Sequence, residues 1–136
     1  SEMCIRDRYS YEPFSHHRGG IIAPPLIIAK HKLCIVWDSI NGGIAGISYD
    51  NYKFIKNWEI NIRPTMQPVY FEQSNELVIN HFDDKSDHLI VIDVLRGKIL
   101  SKVNLRTPMA NGMFLTPGFN NDVLYCSTLA ISKVSW

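Results

Sequence analysis

Histidines and carboxylates crowd one stretch of the chain, NHFDDKSDHLIVID, residues 80–93. His81 and His88 flank a segment that carries Asp83, Asp84 and Asp87. Imidazole nitrogen and carboxylate oxygen together suit Zn²⁺ or another divalent ion, so His81, His88 and Asp83 are the candidate metal ligands. They meet only if the flanking runs pair as a hairpin and set the histidines face to face. The spacing fits no EF-hand loop. The plainer reading is a solvated acidic turn joining two strands.

Three other places carry reactive side chains. FSHHRGG brings His16, His17 and Arg18 together, but neighbours on an extended chain point to opposite sides and make a poor chelating pair. A flexible or blade-completing segment is expected there. YCSTLA offers Cys126, Ser127 and Thr128, yet a nucleophile needs a base and an orienting partner, and no G-x-S-x-G is present. Arg63 and Arg106 recur at the ends of two similar segments. They could clamp an anion, but pairing with surface carboxylates is the expectation.

A glycine cluster, Gly42, Gly43 and Gly46 in WDSINGGIAGISYD, raises the question of a phosphate cradle. A dinucleotide loop needs G-x-G-x-x-G and a helix opening behind it. Neither is present. Asn41-Gly42 tolerates the positive φ of a tight turn, and the flanking residues alternate as strands do, which predicts a hairpin.

The elements that must position these residues are strands. At 136 residues, 46% hydrophobic, 20% charged and net charge +1, the chain is one domain's length and buries roughly 65–70% of its unfolded surface if compact. The charge balance argues against nucleic acid as a partner. No apolar run reaches the roughly 18 residues of a membrane span. Cys4, Cys34 and Cys126 form no C-x-x-C pair, so a zinc ribbon is unsupported. Cys34 and Cys126 sit in strand-like runs as small hydrophobes.

Self-similarity organises the rest. A shift of about 43 residues lays Pro25 on Pro68, the run CIVW on LVIN, Asp50 on Asp93, and EINIR on KVNLR. A third, partial copy follows with a short insertion at TPGFNND. Each unit reads as short β-branched or aromatic runs bounded by turn residues, four strands in 40–45 residues, the period of a propeller blade. The expected fold is all-β, a partial β-propeller of about three four-stranded antiparallel blades. The units are 21–63, 64–106 and 107–136.

The residues before them, SEMCIRDRYS, have no signal-peptide order. They resemble the MCIRDR stretch produced when sequencing-adaptor DNA at the end of a metagenomic read is translated. Residues 1–18 are therefore expected to be non-native or flexible, with Ser1 to about Arg8 foreign to the fold.

The repeat resembles the quinoprotein, or PQQ-like, propeller repeat, whose hallmark is A-x-D-x-x-x-G-K-x-x-W. Asp50 and Trp58 keep the Asp-to-Trp spacing, with Phe54 and Ile55 where Gly-Lys stands in the family. Asp93, Gly97 and Lys98 are in place in the second unit, with Ser101 at the tryptophan position. The segment LIVIDVLRGKIL also resembles the YVTN-type propeller repeat. The resemblance implies that Trp58 docks between blades, that Asp93 holds turn amides, and that Gly97 relieves the turn tip. Lys98 would open a strand on a solvated edge.

Since propellers have four or more blades, the resemblance implies a fragment of a larger ring, or copies that associate. The expected partners are the remaining blades or a second copy, and a protein or small-molecule ligand held by loops at one end. A binding or scaffold module is the expected function. The rival is a piece of a quinoprotein dehydrogenase, with pyrroloquinoline quinone, calcium and a catalytic aspartate. A third expectation is a lyase or hydrolase propeller with an axial metal at His81 and His88. The resembling families are often exported or periplasmic.

Overall fold

The computed structural model describes residues 8–17, 19–50, 53–105, 112–127 and 130–136. Their strands form three antiparallel, blade-like sheets of four, four and three strands. The first sheet contains β1 (Leu26–Ile28), β2 (Leu33–Trp37), β3 (Ile44–Tyr49) and β4 (Phe54–Ile60), each paired with the next. The second repeats this with β5 (Val69–Phe71), β6 (Glu76–Phe82), β7 (Asp87–Asp93) and β8 (Lys98–Leu105). The third holds β9 (Gly112–Pro117), β10 (Asp122–Ser127) and β11 (Ile131–Ser135). One 3₁₀ turn, Ala29–His31, is the only helical element among the described residues. No described helix is long and apolar enough to cross a membrane.

Alternation of side chains across a strand explains why the sheets stack. In β2, Leu33, Ile35 and Trp37 face the second sheet and meet Leu77, Ile79, Ile90 and Ile92. The alternate residues Cys34 and Val36 lie on the other face, with Ala45 and Ile47, under Phe14. In the second sheet Val78, Leu89 and Val91 turn to the third and meet Leu115, Val123 and Tyr125. The middle sheet is thus covered on both faces, so β6 and β7 are apolar almost without interruption. Each isoleucine fully buried between sheets contributes about 1.5–3 kcal/mol.

Two local features recur, the first in all three units and the second in the first two. Lys32, Asn75 and Asn121 have φ of 52°, 55° and 48°, and each immediately precedes the second strand of its sheet. A left-handed residue at that point turns the chain back into the hairpin. In the fourth strands, Gly46 pairs with Trp58 and Ile47 with Lys56, leaving Asn57 as a bulge. Val91 pairs with Ser101 and Ile92 with Ile99, leaving Leu100 in the same place.

The glycine cluster is a hairpin turn. The Asp38 amide donates to the Gly43 carbonyl at 3.0 Å, and the Gly42 amide to the Asp38 carbonyl at 3.0 Å. Gly42 and Gly43 have φ of 88° and 107°, and strand β3, not a helix, follows.

The segment of residues 8–17 adds no strand to the first sheet. It lays Phe14, 5% exposed, over the sheet's outer face, and Lys56 Nζ holds it by donating to the Pro13 carbonyl at 2.8 Å. His16 and His17 depart from the expectation for an extended chain. The segment is a turn, closed by the His17 amide on the Phe14 carbonyl at 2.9 Å, so the two rings meet edge to face at 4.2 Å.

Candidate functional site

Turns β2–β3 and β6–β7 and the link from β4 to β5 gather at one end of the stack. Three backbone-centred bonds tie them together: the Gly43 amide to the Ile62 carbonyl at 2.6 Å, the Phe82 amide to the Arg63 carbonyl at 3.1 Å, and the Arg63 amide to His81 Nδ1 at 2.8 Å.

The hairpin pairs His81 directly with His88, and their rings stack at 5.8 Å with an interplanar angle of 27°. His88 Nε2 lies 3.0 Å from Asp83 Oδ2. A carboxylate only accepts, so Nε2 donates, and in the neutral ring His88 Nδ1 is left as an acceptor. That Nδ1 is buried without a hydrogen-bond partner among the described residues, as is Arg63 Nε. His81 Nδ1 accepts from an amide, so its proton sits on Nε2. The sequence-selected trio of His81, His88 and Asp83 therefore lies together at the mouth of a hairpin, Asp83 hydrogen-bonded to His88 and His81 stacked on it. Among the described residues, no group of three or more His, Cys, Asp or Glu is disposed to hold a metal ion.

Electrostatics follow from these contacts. The His88 ring, then the Ser86 and Lys85 amides, hold the Asp83 carboxyl far below the ordinary carboxylate range. Burial, then the neighbouring His88, Lys102 and Arg63, push the His81 imidazole below its usual value, against the pull of Asp83. At Asp38 burial acts upward, but the Asn41 and Ile40 amides and His17 together outweigh it and lower the carboxyl.

The other acidic residues divide. Asp84 pairs with the Arg63 guanidinium, which also lies 5.3 Å over the Phe82 ring. That is the surface pairing expected for Arg63; Arg106 lies outside the described residues, with Cys4, Arg18 and Thr128. Asp87, 2% exposed, turns to the opposite face. It accepts from Tyr125 Oη of the third sheet at 2.6 Å and from Asn80 Nδ2 at 3.0 Å. Asn80 also donates to Thr65 Oγ1 at 2.7 Å and accepts from the Thr65 and Met66 amides. Sequence reasoning passed over this network. Its signal was present: Asn80 and Asp87 occupy positions where period-2 alternation calls for apolar side chains.

The repeat-motif residues occupy turns and an inter-sheet seat. Asp50 Oδ1 accepts the Lys53 amide at 3.0 Å. Asp93 Oδ1 accepts the amides of Leu95 and Arg96 at 3.0 and 3.3 Å. Gly97 follows at φ 68°, and Lys98 opens the exposed edge strand β8. The Trp58 indole lies against both Gly46 and Gly97, where a Cβ on either glycine would collide with it. Its Nε1–H donates to the Val94 carbonyl of the second sheet at 2.8 Å. Cys126 is a free thiol of intermediate burial, and Ser127 Oγ closes a turn on Ala130.

The chain matches no protein-family model, no curated protein and no solved structure.

Proposed function

We propose that this chain is a run of β-propeller blades of the quinoprotein-like repeat type, working as a binding or scaffold module. Its ligand sits at the end where the β2–β3 and β6–β7 turns and the β4–β5 link converge. The observation that carries this reading is the seat of Trp58, which reaches from the first sheet to the second at the motif's Asp-to-Trp spacing. The carboxylates of Asp38 and Asp83 accept turn amides, which supports loops held in one shape, as recognition favours.

The dehydrogenase reading requires pyrroloquinoline quinone with calcium. The described residues do not fit that group: no three carboxylate, imidazole or thiol side chains converge as cation ligands among them, and Cys4, Cys34 and Cys126 include no adjacent pair.

Two measurements test the proposal. Amide NMR spectra recorded against a panel of peptides and metabolites should show shifts confined to residues 38–43, 61–66 and 82–88. Binding that instead maps to the opposite turns would remove the assigned site. Dye reduction by the chain in the presence of the quinone and calcium would replace the scaffold role with the dehydrogenase one.

A further inference from the structure

The third sheet presents one face to the second, and among the described residues the other is left open. Val123 and Tyr125 point inward, so Leu124 and Cys126 point outward. The register places Phe114 and Ile131 beside Cys126 on that outward face. They are 62% and 73% exposed.

Repeat equivalence tells what such a face receives. Leu124 and Cys126 of the third sheet correspond to Val78 and Asn80 of the second, and to Ile35 and Trp37 of the first. Ile35 and Trp37 are covered by Leu77 and Ile79 of the next sheet. Val78 is covered by Val123 and Tyr125 of the next sheet. The complementary surface is therefore always the back of a following sheet. Among the described residues the first sheet's own back, at Cys34, Val36, Ala45 and Ile47, has no sheet on it; Phe14 is the buried aromatic that covers it.

From this we infer that the open face of the third sheet docks on the back of the first sheet in a second copy of the chain, and that the Phe14 segment is a displaceable plug competing for the same surface. The inference rests on reading the sheets as blades. The contact is head to tail, so two copies that close make a ring, and copies that do not close make a chain. The plug is suited to leave: its segment forms no strand, and outside the apolar contact it is held, among the described residues, by side-chain contacts, the Lys56 bond to Pro13 and the His17–Asp38 and His16–Glu59 pairs.

The two cysteines make the geometry testable, since Cys126 lies on the docking face and Cys34 on the plugged one. In a Cys4→Ser background, a short dithiol-reactive cross-linker should join Cys34 of one copy to Cys126 of another, identified by peptide mass mapping. Sedimentation should show reversible association that Phe14→Ala strengthens by about tenfold. Phe114→Lys with Ile131→Lys, both at exposed positions, should abolish association while leaving the strand circular dichroism unchanged. A chain that stays monomeric at millimolar concentration with and without Phe14, or a product linked only through Cys126 to Cys126, would overturn the inference. Neither result bears on ligand binding at the turns, so the two readings fail separately.

Discussion

At the scale of single residues, proton sensitivity concentrates at His81. Its Nδ1 accepts the Arg63 amide, and a protonated ring cannot accept. Burial and nearby positive charge also lower its affinity for a proton. The unfolded chain therefore binds that proton first. Stability from this group is full above the ordinary histidine value of about 6.5 and is lost as pH falls below it. Asp38 and Asp83 act with the same sign at lower pH. Their folded carboxyls are depressed, so their contribution is present above about 4 and disappears as acid protonates them. Melting temperature followed from pH 8 to 3 should fall in two steps. His81→Asn keeps an acceptor for the Arg63 amide and should erase the upper step alone; an unchanged profile would show that His81 is not its source. The Asp87–Tyr125 bond gives a second residue-scale prediction. Tyr125→Phe removes a donor from a buried carboxylate and should cost about 1.5–3 kcal/mol in chemical denaturation. Tyr49→Phe, at a half-exposed ring, should cost little.

At the scale of elements, the strands were legible because each apolar run is short, alternating or β-branched, and closed by Asp, Asn, Gly or Pro. The runs LCIVW, ELVIN and DVLYCS became β2, β6 and β10 within a few residues. The turn role of Asp93 and Gly97 was legible too, because an Asp side chain that captures amides two and three residues on is a local event. Facts that depend on stacking were not legible. Asp87 in DDKSD looks like one more solvated acid; only the third sheet's Tyr125 makes it a buried partner. The left-handed residue was hidden at Lys32, where lysine gives no turn signal, although Asn75 and Asn121 fill the same place. The turn that brings His16 and His17 together is not legible either, since nothing in FSHHRGG distinguishes it from an extended segment. The Trp58 seat is the element-scale prediction. Trp58→Ala should cost about 2–3 kcal/mol, less than the 3–5 of a fully buried tryptophan. Gly97→Ala adds a Cβ at positive φ and against the indole, so it should cost more than the roughly 1–2 kcal/mol of the backbone strain alone. If Gly97→Ala costs as much in a Trp58→Ala background as beside the native indole, the seat is misassigned.

At the scale of the whole molecule, coverage is uneven. The second sheet is sandwiched by neighbours on both sides. The first has a neighbour on one side and a single segment on the other. Among the described residues the third has one bare face. Neighbour-dependent stability of this kind should appear as graded opening. Native-state hydrogen exchange should rank amides of β6 and β7 slowest and those of β9 to β11 fastest. Equal protection across all three sheets would mean one indivisible unfolding unit instead.

The bulges at Asn57 and Leu100 bear on solubility. They interrupt β4 and β8, the outer strands of the first two sheets. A flat outer strand is an open template on which further chains add by backbone pairing, the route to fibres. An extra residue breaks the ladder and raises the local twist, so an incoming strand loses register within a few residues. By that irregularity the repeat protects its rim, and a variant lacking the extra residue in both strands should seed cross-β deposits sooner than the parent.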